Sequence, residues 1–155
     1  MLIQKLISGG QTGVDRAALD LALMYKVPHG GWCPRGRRAE DGTIPAQYNL
    51  QETPGEDPAK RTEWNVRDSD ATVVFSVSKT LTGGSRRTVE FAQQYHRPCL
   101  HLSAQADGEH APEKLKTFLR TARVTVLNVA GPRASEEPAA GQFASVVLAA
   151  VLGER

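Results

Sequence analysis

The stretch LISGGQTGVDRAALDLAL, residues 6–23, decides the fold. A short apolar run ends at Gly9-Gly10, and polar Gln11, Thr12, Asp15 and Arg16 follow around Gly13. Val14, Ala17, Ala18, Leu21, Ala22 and Tyr25 then recur at helical spacing, which predicts a helix over about 13–25 with one apolar stripe. The unit is a strand, a glycine bend and an amphipathic helix with a polar first turn.

Working outward, the same alternation recurs. LIQKLIS (2–8) reads as the first strand and VPHGGWCP (27–34) as a short extended segment between breakers. PAKRTEWNVRDS (58–69) predicts a helix with Pro58 in its first turn. ATVVFSV (71–77), PCLHLS (98–103) and VTVLNVAG (124–131) read as strands. A helix is expected after Gly83-Gly84, another over 111–122, and a terminal one after a Gly/Pro-rich loop. Short apolar strands alternating with helices predict an α/β chain: a three-layer Rossmann-like parallel sheet of about five strands with helices on both faces. No linker or low-complexity tract divides residues 1–155, so one domain is expected.

Bulk chemistry narrows the partners. Among 155 residues, 40% are hydrophobic and 23% charged, the profile of a globular chain. A net charge of +2 and sparse aromatics argue against a nucleic-acid surface. Cys33 and Cys99 stand far apart and outside any CxxC, as expected of reduced thiols in a cytoplasmic protein. No signal-peptide layout is seen, and no apolar run approaches the ~18 residues of a membrane span.

In sheets of this class, ligands sit outside the carboxyl ends of the strands. Three such ends carry glycine and hydroxyl groups: Ser8-Gly9-Gly10-Gln11-Thr12-Gly13, Thr82-Gly83-Gly84-Ser85-Arg86-Arg87-Thr88 and Ala130-Gly131-Pro132-Arg133-Ala134-Ser135. Glycine admits close approach of the backbone, and the helix starting behind each loop offers free N–H groups to an anion. None of the loops fits GxGxxG or GxxxxGK followed by Ser or Thr, which disfavours conventional dinucleotide binding and ATP hydrolysis.

Several side chains have two readings. Asp15 either faces the ligand or simply favours its helix N-terminus. Arg16 lies off the apolar stripe, toward solvent or ligand. Glu90 is either a site carboxylate or a surface helical Glu, and Asp70 either a polar contact beside Asn65 or a cap before a strand. The loop CPRGRRAEDGTIPAQYNLQET, 33–53, is long for a compact domain. It is a solvated mixed-charge loop or a clamp in which Arg35 and Arg38 fork onto phosphate oxygens. The four His residues are isolated and no cluster has metal-ligand spacing, so no protein-ligated metal is expected.

The blocks SGGQTGVDRAALDLA, GGWCPRGRRAEDGTIPAQYNLQET, RTEWNVRDSDATVVFS, LTGGSRRTVEFA and NVAGPRASEEP, in this order over residues 6–143, resemble the circularly permuted YpsA-like proteins. That family is described as molybdenum cofactor carriers and belongs to a Rossmann-like group with the Lonely Guy phosphoribohydrolases and the lysine-decarboxylase-like proteins. The resemblance implies a phosphorylated ligand, molybdenum cofactor or a nucleotide, and a homo-oligomer, dimer or tetramer. In the leading reading of these loops, Gly9, Gly10, Gln11, Thr12 and Gly13 hold one anion and Gly83, Gly84, Ser85 and Thr88 a second, Arg35 and Arg38 close over it and Asp70 offers a polar contact, while Arg16 holds the phosphate in the enzyme alternative. The phosphoribohydrolase relatives carry PGGxGTxxE; here Thr82 replaces the Pro and an extra residue precedes Thr88. The leading reading is a non-catalytic carrier. The alternatives are a nucleotide N-glycosidase using Glu90 or Asp15, and a nucleotide-sensing module.

Overall fold

The computed structural model describes residues 3–153; the expected start of the first strand at Leu2 and the ends of the expected domain lie outside them. Strand β1 (Lys5–Ile7) runs through the glycine bend into helix α1 (Val14–Met24). Strands β2 (His29–Gly30) and β3 (Trp32–Cys33) follow, then β4 (Arg38–Ala39), β5 (Gly42–Thr43), β6 (Gln51–Glu52) and α2 (Pro58–Arg67). The chain continues as β7 (Ala71–Ser76), α3 (Gly83–Gln94), β8 (Cys99–Ser103), α4 (Ala111–Thr121), β9 (Val126–Ala130) and α5 (Ala140–Leu152).

Five of the strands form one parallel sheet in the order β2-β1-β9-β7-β8. The last strand in sequence therefore sits at the centre. Counted from β9, the same sheet reads 3-2-1-4-5, the order of a doubly wound nucleotide fold. A chain that began at β9 would reach every strand without changing any pairing, so the sheet is a circular permutation of that arrangement. Right-handed crossovers put α1 and α4 on one face and α2 and α3 on the other, and α5, which follows the last strand, packs against α1 and α4 while α2 packs on α3.

All six residues of β7 are buried, as a parallel strand covered on both faces requires. Phe75 on β7 meets Phe143 of α5 edge-on at 5.8 Å and joins sheet to helix. α5 buries Ala140, Ala144, Val147, Leu148 and Val151, a stripe at helical spacing. α1 buries its predicted Val14, Ala18, Leu21 and Ala22, and also Asp15. α2 starts as expected: Pro58 follows the cap Asp57, whose carboxylate accepts from the Ala59 N–H at 3.0 Å.

The long segment between β2 and α2 is ordered by its own contacts. Arg37, at φ 54°, donates to the carbonyls of Pro45 (2.8 Å) and Tyr48 (2.9 Å). Ile44, Tyr48 and Leu50 are buried in the core. β4 and β5 form a hairpin whose turn, Glu40-Asp41, reaches the loop after β1.

Candidate functional site

A cavity of about 520 Å³ opens at the carboxyl ends of β1, β9 and β7, a size suited to a small ligand. It lies where the sheet connections diverge to opposite faces, the expected ligand crevice of such folds. Gly9 and Gln11 line it from β1, Asn128 to Gly131 from β9, Gly83 to Ser85 from α3, and Arg61 from α2.

α3 presents its N-terminus to this space. Its cap Thr82 is extended and makes no side-chain cap bond, so the first-turn N–H groups point outward with the positive end of the helix dipole. Gly83 has φ +54°, and a Cβ on Gly84 would meet nothing within 4 Å. Ser85 and Thr88 are buried here, but the Thr88 hydroxyl donates to the Gly84 carbonyl at 2.9 Å and serves the helix itself. Arg87 also lines the cavity.

Opposite stands Arg61, only 9% exposed. One of its terminal nitrogens donates to the Gly9 carbonyl at 2.9 Å. A Cβ on Gly9 would lie 2.5 Å from the Arg61 Cδ, so glycine is needed there for the guanidinium to pack against the backbone. Asp15, 8% exposed, accepts from the Gln11 N–H at 3.2 Å and faces the same cavity. Burial pushes its carboxyl above the usual range, against the opposing pull of the Arg61 charge and the Gln11 N–H.

The first and third glycine loops bind each other. Glu40, at the hairpin turn, accepts from the Thr12 hydroxyl and from the Ser135 N–H (3.1 Å) and hydroxyl (2.5 Å). These donors hold its carboxyl below the usual range. Thr12 also accepts from the Ala134 N–H at 3.1 Å, and the Gln11 side-chain oxygen accepts the N–H groups of Thr12 and Glu40. Gly13, at φ +80°, could carry no Cβ because the Pro132 carbonyl would lie 2.6 Å away. The polar groups of the first loop thus brace the third loop, while the α3 end stays open.

Several expected site residues fall elsewhere. Asp70 is corrected outright: it lies at the amino ends of β7 and β9, the far end of the sheet. There it accepts from the Thr125 hydroxyl (2.8 Å) and the Thr125 and Val126 N–H groups (3.0 and 2.8 Å). Arg16 does not line the cavity; it forks onto Asp41 at 2.5 and 2.8 Å and donates to the Gly10 carbonyl. Arg35 and Arg38 are likewise off the cavity lining. The Arg35 N–H donates to the Gly55 carbonyl at 2.9 Å, inside the long segment. Glu90 points to solvent beside Arg86 at 3.8 Å, with its side chain 61% exposed. Gly10 and Gly13 also shape the loop without lining the cavity. Asn65 reaches the lining, yet its amide is bonded to both backbone groups of Trp32, at 2.8 and 3.0 Å.

Arg61 is the main residue that sequence reasoning missed. The signal was available: Arg61 and Asn65 stand four apart on the buried face of α2, where an apolar stripe would otherwise run. Among the described residues no group of His, Cys, Asp or Glu is placed to hold a metal ion, and no helix is long and apolar enough to cross a membrane.

Comparison with known proteins agrees with this architecture. The crystal structure titled "Putative molybdenum carrier protein", from Syntrophus aciditrophicus SB, is 47% identical with a TM-score of 0.95, covering 97% of this chain and 96% of that one. No curated protein matches the sequence. The model of the circularly permutated YpsA SLOG family matches residues 6–152. With its sheet permuted about β9 and the family pattern running through nearly its whole length, the chain belongs to the circularly permutated YpsA SLOG family.

Proposed function

We propose that this protein is a non-catalytic carrier that holds molybdenum cofactor, or a closely related phosphorylated ligand, as cargo in the cavity between α2 and α3. The observation that carries the reading is the pairing of an uncapped helix N-terminus, opened by Gly84, with the buried guanidinium of Arg61 across one cavity. Backbone N–H groups at a helix start suit a terminal phosphate, and a guanidinium adds a forked, charge-assisted contact. The similar Syntrophus structure, named as a molybdenum carrier, supports the choice of cargo. In this reading Gly83, Gly84 and Ser85 receive the phosphate, Arg61 and Arg87 neutralise it, and Gly9 and Gln11 line the remaining space. The carrier acts in the cytoplasm as a homo-oligomer, which sedimentation equilibrium tests.

The hydrolase alternative has less support, because of its two candidate carboxylates Glu90 faces solvent and Asp15 alone lines the cavity. The experiment loads the protein with molybdenum cofactor, repurifies it, and measures molybdenum and oxidised pterin per chain. Retention is expected in the wild type and in Glu90→Ala, and is expected to drop at least about tenfold in Gly84→Val, whose side chain enters the phosphate seat. Retention no better than that of an unrelated protein sinks the carrier reading. Release of free base from nucleoside monophosphates would replace it with the enzyme.

A further inference from the structure

The strand ladder stops at the carboxyl end of β7. The carbonyls of Ser76 and Val77 still accept from the N–H groups of Ala104 and Gln105, at 2.9 and 3.1 Å. The N–H groups of Val77 and Ser78 have no strand partner. Both donate to one carboxylate, that of Glu137, at 2.8 Å to Oε1 and 3.1 Å to Oε2. Glu137 comes from the loop after β9, so its side chain spans the two central strands at the switch point of the sheet.

Beside this contact is a second cleft of about 230 Å³, which shares Ser85 and Glu136 with the main cavity. Its walls carry the hydroxyl residues Ser78, Thr80 and Thr82. Ser76 is committed elsewhere, bonded to the Ser78 carbonyl and to His101 Nε2, each at 2.6 Å. Two successive N–H groups converging on paired oxygens form an anion seat. A carboxylate there offers what an oxyanion would offer: negative charge and two acceptor oxygens at the same spacing.

We propose that the Val77–Ser78 N–H pair is a second seat for a tetrahedral oxyanion of the phosphate class, which the chain keeps closed with its own Glu137 carboxylate. An incoming anion displaces the carboxylate, and the seat's affinity is reduced by the fraction of time that Glu137 occupies it. Hydroxyl donors from Ser78, Thr80 and Thr82 surround the incoming group. The proposal stands beside the carrier reading and does not rest on it.

Equilibrium dialysis against inorganic phosphate, and separately against molybdate, tests it on the wild type, Glu137→Ala, Glu137→Gln, Arg61→Ala and the Arg61→Ala/Glu137→Ala double variant. At equal free anion, Glu137→Ala is expected to bind one more equivalent per chain than the wild type with at least one of the two anions. The extra equivalent is expected to persist in the Arg61→Ala background, whether or not the main cavity binds anything. Glu137→Gln keeps the shape of the side chain but turns an NH2 toward one of the two N–H groups. It is expected to gain the same equivalent at higher free anion, and it answers the question if the alanine variant fails to fold. No gain in either Glu137 variant overturns the proposal. So does a gain that disappears with Arg61, because the anion is then in the main cavity.

Discussion

Arg61→Ala tests the electrostatics of the cavity directly. The substitution removes a guanidinium that is 9% exposed and donates to the Gly9 carbonyl at 2.9 Å. It also removes the largest influence that favours the charged form of Asp15, itself 8% exposed. A charge-assisted hydrogen bond contributes about 1.5–3 kcal/mol, so a loss of about 2 kcal/mol is expected near neutral pH. For a chain of this size that is roughly 4–8 °C in Tm. The pH dependence carries the sharper signature. The folded-state carboxyl of Asp15 lies above its ordinary 3.8. A raised acid contributes stability that is present at low pH and is lost as pH rises through its folded value. Without Arg61 that folded value climbs further, so the loss extends to higher pH. Thermal unfolding followed by circular dichroism should show a larger deficit for Arg61→Ala at pH 7 than at pH 4. Adding Asp15→Asn should flatten the difference, since no carboxyl then remains to titrate. A Tm within about 1 °C of wild type at pH 7, or a deficit equal at both pH values, would refute the reasoning.

Three further outcomes are expected. Gly131→Ala places a Cβ 2.5 Å from the Phe75 carbonyl and 2.6 Å from Val14 Cγ2; it should lower stability by about 1–3 kcal/mol, read as a lower urea midpoint at unchanged slope. Asp70→Ala should leave cargo retention unchanged and cost about 1 kcal/mol at neutral pH, discounted for the exposure of the group. Three donors hold the Asp70 carboxyl below the usual range, so its contribution is present above pH ~4 and is lost as pH falls, and the variant should narrow its deficit in acid denaturation. Burial pushes the Cys99 thiol up to about 11, leaving roughly 0.1% thiolate at pH 8. Ellman's reagent should therefore react slowly with Cys99 in the folded protein and promptly after denaturation, and rapid labelling of the native thiol would contradict that environment.

The strand–glycine–helix units were legible because each is local. Val14, Ala18, Leu21 and Ala22 repeat at the helical period, Pro58 marks a helix start, and the β-branched run at 71–77 is long enough for a buried strand. Family resemblance added the permuted order. The candidate site was legible at Gly9, Gln11, Gly83, Gly84 and Ser85, where glycine and hydroxyl groups mark strand ends that face a helix start. Of the charged candidates, Asp15 lines the cavity, whereas Arg16, Arg35 and Arg38 do not. Arg35, Arg38 and Arg16 read as phosphate ligands because an arginine near glycines is ambiguous until its partner is known. The partners of Arg16 are Asp41 and the Gly10 carbonyl, and the Arg35 backbone is tied to Gly55.

Periodicity and turn chemistry, which act over a few residues, settled by sequence alone that this is a parallel α/β chain with glycine loops at its strand ends. Only the tertiary structure decided which loop stays open to a ligand. That depends on hydrogen bonds between residues far apart in sequence: Glu40 joins Thr12 to Ser135, Arg61 reaches Gly9, Glu137 caps Val77 and Ser78, and Asp70 ties the opposite end of the sheet. A side chain's charge is written in the sequence, but the donor or acceptor that uses it is set by how the strands are ordered in the sheet.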